Sequence, residues 1–102
     1  MTEPSKAELS AMVEEAIIDC HDEEEQPTGF AYMFEENLEA PFATTVLGIM
    51  VTVTGITHTS HGLVADCVRS RHKQAIHVLD LPLPEPPPKG AEWIAAYRYW
   101  AR

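Results

Sequence analysis

Residues 42–79 read FATTVLGIMVTVTGITHTSHGLVADCVRSRHKQAIHVL, and this stretch decides the fold class. It is rich in β-branched residues, and within residues 49–54 isoleucine or valine stands at every second position, as in a strand with one buried face. Short neighbouring strands joined by short turns imply a small antiparallel β-sheet, either open or curled into an SH3-like barrel of about four to five strands. We predict strands over residues 43–47, 49–54, 63–69 and 74–79, with a polar loop at 57–62 and a turn at 70–73.

Two amphipathic segments precede the sheet. Between Leu9 and Cys20 the apolar residues recur at the three- and four-residue spacing of one helix face. Thr2 and Ser5 are both suitable N-cap residues for this helix. A second helix is predicted from about residue 28 to residue 39, and Pro41 ends it. The sequence therefore predicts two helices before the first strand.

The chain after the sheet begins with prolines and ends with aromatic residues. Prolines within residues 82–88 predict an extended spacer, although residues 84–89 also fit a PxxPx(K/R) recognition motif. A short helix over 91–101 carries Trp93, Tyr97 and Trp100, and this aromatic face either packs into the core or docks a protein partner. The fold class is α+β, in a single domain. Its parts are acidic helices (1–40), a β part (42–80), a proline-rich connection (81–90) and a C-terminal helix (91–102).

Acidic residues are concentrated in the N-terminal part. The chain of 102 residues has 16 acids and 7 bases, for a net charge of −9. Residues 1–40 hold twelve acids and one base, and so carry −11, whereas the rest carries +2. This balance disfavours binding to nucleic acid or to an anionic membrane, because both depend on Lys and Arg. The chain has two cysteines and no CxxC motif, and its first residues are polar, so we expect the reducing cytoplasm. We also expect a monomer.

The acids form two groups that suggest a metal site. Crowded carboxylates repel one another, and a hard cation such as Ca²⁺, which takes six to eight oxygen ligands, removes that repulsion. No window matches the EF-hand loop, since the position that requires glycine is Glu24 or Pro27. The alternative is a solvated acidic face that only keeps the protein soluble. The candidate Ca²⁺ ligands are Asp19, Asp22, Glu23, Glu24, Glu25, Glu35 and Glu36.

Several segments of the N-terminal part resemble the signature of the CcbP-type calcium-binding proteins. The resemblance is carried by residues 17–25, 29–32, 35–38 and 41–43, which keep the family's spacing without a gap. It implies a small acidic bacterial protein that binds Ca²⁺ without an EF-hand, on a fold of helices and a β-barrel. Carried over by position, the family's acids correspond to Asp19, Glu23, Glu24, Glu25, Glu35 and Glu36, the last of which replaces an aspartate.

Other chemistries have weaker support in the sequence. His58 and His61 form an HxxH pair, and Cys20 and Cys67 are soft ligands, but structural zinc needs two tight pairs. No catalytic motif is present, and Cys67 lies in an alternating strand, as a small core residue would. We therefore expect no enzyme activity. The leading hypothesis is an intracellular Ca²⁺ buffer or sensor, and the alternative is a small protein-interaction module whose acidic face is merely solubilising.

Overall fold

The computed structural model describes residues 4–18, 20, 25–60 and 62–101. Within them the chain forms three helices and a four-stranded antiparallel sheet, so the predicted α+β class is confirmed. A short 3-10 turn, Val78–Asp80, follows the sheet. The elements are α1 (Lys6–Ile17), α2 (Gln26–Asn37), β1 (Phe42–Val46), β2 (Ile49–Thr59), β3 (Gly62–Arg69), β4 (His72–His77) and α3 (Glu92–Ala101).

The sheet is a meander in the order β1-β2-β3-β4, in which each strand pairs antiparallel with the next. In the described residues β1 and β4 remain edge strands and do not pair, so the sheet is open and not a closed barrel. The predicted polar loop at 57–62 is wrong, because β2 extends to Thr59 and His58 pairs with Leu63. The hairpin satisfies the backbone hydrogen bonds of these polar residues, while exposed threonine and histidine side chains are compatible with a strand.

The first two helices begin close to their predicted positions. Ser5 caps α1 in a reciprocal pair with Glu8, since the Ser5 Oγ accepts from the Glu8 N–H at 3.2 Å and the Glu8 Oε1 accepts from the Ser5 N–H at 3.3 Å. Helix α1 ends at Ile17, before the Cys20 end that the apolar spacing predicted. Helix α2 begins earlier than predicted because Pro27 fits its first turn, where proline loses no helical hydrogen bond.

The core has two clusters. The larger one joins the helices to β3 through Phe30, Phe34, Leu63 and Ile94, all at 0–2% exposure. The smaller cluster lies on one face of the sheet. Its buried residues come from β2, from β3 and from the segment after the 3-10 turn, and they are Val51, Val53, Ala65, Cys67 and Leu81. The core assignment of Cys67 is confirmed by its 1% exposure.

The aromatic face of α3 belongs to the larger cluster. Trp93 and Tyr97 are buried, which confirms core packing for these two side chains. Tyr97 meets Phe30 edge-on, with ring centroids 5.4 Å apart. Trp100 is partly buried, and its Nε1 donates to the Gln26 Oε1 at 2.7 Å. This aromatic packing therefore ties α3 to the start of α2.

Both ends of the proline-rich connection contact the rest of the fold. The Glu39 N–H donates to the Lys89 carbonyl at 2.7 Å. Gly90, at φ +90°, lies so close to the backbone of Asn37 that a Cβ there would overlap it. Arg98 of α3 donates to the carbonyls of Val78 and Leu81 and so holds the start of the connection. No helix in the described ranges is long and apolar enough to cross a membrane.

Candidate calcium site at the junction of helices α1 and α2

Helices α1 and α2 are in close contact at Gly29. A Cβ at this position would overlap the carbonyl oxygen of Ala16, so only glycine allows the observed contact. Next to it the Cys20 Sγ donates to the carbonyl oxygen of Glu25 at 3.3 Å. These contacts hold the end of α1 against the start of α2, and they determine which acidic side chains share a surface.

A groove of about 560 Å³ runs between the two helices at this junction. Its acidic lining residues are Glu15 of α1 and Glu25 at the start of α2. Its apolar side includes Ile18 and Tyr32, which are 78% and 57% exposed. The groove is therefore open to solvent and combines two carboxylates with exposed apolar surface.

Glu25 occupies the N-cap position of α2. Its backbone carbonyl accepts from the N–H groups of Thr28 and Gly29 at 3.0 and 3.3 Å, whereas its side chain makes no capping hydrogen bond. Glu25 is exposed and lies at the positive end of the helix dipole, where an acidic residue stabilises the helix. A carboxylate oxygen is the kind of ligand that Ca²⁺ takes.

Four of the predicted ligands, Asp19, Asp22, Glu23 and Glu24, lie outside the described residues. In sequence they fall between Ile18 and Glu25, and both of these residues line the groove.

Glu35 and Glu36 lie on the other half of α2. Ten residues of helix separate Glu25 from Glu35, which is about 15 Å along the axis, whereas two oxygens on one Ca²⁺ ion lie within about 5 Å of each other. The sequence hypothesis placed the two groups in one site, and α2 keeps them apart. Glu36 also accepts a hydrogen bond from the Tyr32 hydroxyl one turn earlier, and this bond and its negative charge raise the pKa of Tyr32.

The structure brings no transition-metal site together in the described ranges. No three His, Cys, Asp or Glu side chains there are close enough to hold a metal ion. His58 hydrogen-bonds Thr28 through its Nδ1 at 3.3 Å, while His61 lies outside the described residues. Cys67 is enclosed in the smaller core cluster, where burial raises the pKa of its thiol.

The sequence interpretation missed Glu15 as a member of the site. The sequence places Glu15 only among the twelve acids of residues 1–40, and in the structure its side chain is exposed. The available signal was the spacing, because Glu15 precedes Asp19 by four residues and residues at that spacing share a helix face. Only the packing of α1 on α2 puts Glu15 on the same groove as Glu25.

No protein-family model, curated protein or solved structure matches this chain.

Proposed function

We propose that this chain is a non-EF-hand calcium-binding protein, an intracellular Ca²⁺ buffer or sensor, which holds the ion at the junction of α1 and α2. The observation that carries the proposal is the shared groove of Glu15 and Glu25. The chain between these two residues contributes Asp19, Asp22, Glu23 and Glu24 in sequence. Six carboxylates thus belong to one stretch of eleven residues, and Glu15 and Glu25 at its two ends line the groove.

The energetic reason for binding is relief of repulsion. Neighbouring carboxylates repel one another, so a bound cation would stabilise the folded state of a stretch this rich in acids. Ca²⁺ accepts irregular sets of oxygen ligands at about 2.3–2.6 Å, so a site that lacks EF-hand geometry is compatible with it. Glu35 and Glu36 lie too far along α2 to share that ion, and they belong to the remainder of the acidic surface.

Thermal unfolding in Ca²⁺ and in EGTA tests this function. A ligand that binds only the folded state and is present at about 100 times its Kd adds roughly 2.7 kcal/mol to the free energy of unfolding. For a domain of this size that raises the Tm by about 10–20 °C. Ionic strength is matched with NaCl, and a second series with Mg²⁺ measures selectivity.

Charge-neutralising variants distinguish Ca²⁺ binding at a specific site from general screening of the negative charge by Ca²⁺. Glu25→Gln removes a proposed ligand, and Glu85→Gln removes an equal charge from the exposed proline-rich connection. We expect Glu25→Gln to weaken Ca²⁺ binding by about tenfold or more, and Glu85→Gln and Glu35→Gln to leave it unchanged. In an NMR titration over about 10⁻⁷–10⁻³ M Ca²⁺, amide shifts should centre on residues 15–29. An identical Tm in Ca²⁺ and in EGTA would contradict the proposal.

A further inference from the structure

The turn between β1 and β2 carries a leucine where the backbone disfavours it. Leu47 and Gly48 form a two-residue hairpin loop with φ values of +51° and +79°. Positive φ at both positions is the type I′ pattern, for which Asn-Gly is the preferred sequence. A leucine in this conformation is strained. Leu47 is also 96% exposed, so no packing contact in the monomer compensates for the strain.

More apolar and cationic side chains surround this turn. Ile49 and Met50 are 43% and 62% exposed. Because Thr52 pairs with Val68, the β3–β4 turn at Ser70 lies beside Met50, at the same end of the sheet. We call this end the sheet tip, and it consists of Leu47, Ile49, Met50, Arg69, Arg71 and Lys73.

The sheet tip is electrostatically separate from the acidic helices. Asp66 is the sole acid in residues 41–79, and its carboxylate accepts a hydrogen bond from the Thr57 hydroxyl. The α1–α2 junction contacts the opposite end of β2, where Thr28 meets His58. The nine residue steps from Ile49 to His58 span about 30 Å, several times the Debye length of about 8 Å at physiological salt. The acids at the α1–α2 junction therefore do not cancel the positive field at the tip.

The side chains at the tip project from both faces of the sheet. Ile49 and Arg69 lie on the face that carries Val51 and Val53, because side chains alternate along a strand. Met50 and Lys73 lie on the opposite face, in line with Thr52 and Val68. A partner helix or peptide would cover one face, whereas this distribution suits a broad surface that the tip approaches end-on. The apolar residues stand at the apex of the tip, and the cations lie nearer the body of the sheet. In a bilayer the anionic headgroups lie outside the acyl chains, so an inserted tip would place each group against its match.

We propose that the sheet tip docks the protein on an anionic lipid bilayer, with Leu47 inserted and Arg69, Arg71 and Lys73 against the headgroups. This inference is independent of the calcium site. It also explains the strained turn, because the leucine that gains nothing in the monomer gains burial at the membrane.

Co-sedimentation with vesicles of phosphatidylserine and phosphatidylcholine, and of phosphatidylcholine alone, tests the proposal in EDTA. We expect partitioning on the anionic vesicles that falls with added NaCl. Leu47→Asn should weaken it by about tenfold or more while the Tm stays equal or rises, since Asn-Gly suits the turn. Arg71→Gln and Lys73→Gln should each weaken it by about fivefold. Thr52→Ser, on the same sheet but without an apolar or charged change, is the matched control and should bind as wild type.

Three results would overturn the proposal. The first is partitioning no greater on anionic vesicles than on phosphatidylcholine alone. The second is unchanged vesicle binding by Leu47→Asn when its melting curve shows that it is folded. The third is concentration-dependent self-association without vesicles, measured by sedimentation velocity and abolished by Leu47→Asn, because it would assign the tip to a second copy of the chain.

Discussion

Replacing Gly29 by alanine tests how the two N-terminal helices are held together. Gly29 lies inside α2, where helix propensity alone predicts that alanine stabilises the protein by about 1 kcal/mol. The packing predicts the opposite sign. The added Cβ would overlap the carbonyl oxygen of Ala16 and stand 3.2 Å from the Cys20 Sγ.

The expected loss of stability depends on which atom the new Cβ would overlap. A flexible side chain could rotate away, but the oxygen of Ala16 belongs to the backbone of α1, so the helices must separate. Overpacking of this kind costs about 1–3 kcal/mol, and a direct overlap with backbone belongs at the upper end. After subtraction of the propensity gain, Gly29→Ala should lose about 2 kcal/mol, which lowers the Tm by about 10 °C.

Chemical and thermal unfolding followed by circular dichroism measure this change. Gly55→Ala is the matched control, because Gly55 lies in β2 with nothing within 4 Å of its added Cβ and without a left-handed φ. It should leave the Tm unchanged or raise it slightly. A Tm for Gly29→Ala equal to or above that of wild type would refute the close approach of α1 and α2, and with it the geometry that joins Glu15 and Glu25.

Two further predictions concern titratable groups in the described residues. In native protein a thiol reagent should modify Cys20, which is partly exposed, and should reach Cys67 only on unfolding, because Cys67 is buried and burial raises the pKa of its thiol. Equal rates for the two cysteines, measured by mass spectrometry, would contradict the core placement of Cys67. Glu36→Gln should lower the pKa of Tyr32 toward its ordinary value, since the Glu36 carboxylate raises it by a hydrogen bond and by its charge; ultraviolet titration against a Tyr32→Phe reference measures the shift, and an unchanged curve would argue against that bond.

Local patterns along the chain were sufficient to predict most of the fold. The α+β class, the helices and the hairpins follow from apolar spacing, β-branched residues and prolines, which act within a few residues. The errors arose where backbone pairing decided the outcome. The polar segment around His58 looks like a loop by composition, yet it pairs with β3 because a hairpin satisfies its backbone groups. The choice between an open sheet and a barrel also depends on long-range closure, which no local pattern encodes.

For the candidate site, too, some properties are local in the sequence and others depend on long-range packing. The sequence by itself determined where the negative charge is concentrated and which carboxylates are neighbours, because these are properties of residue order. Only the tertiary structure decided which of them share a surface. Gly29 lets α1 and α2 meet so that Glu15 joins Glu25, whereas the rigid length of α2 separates Glu25 from Glu35. The sheet tip depends on folding in the same way, since strand register places Leu47 beside cations more than twenty residues later in the chain.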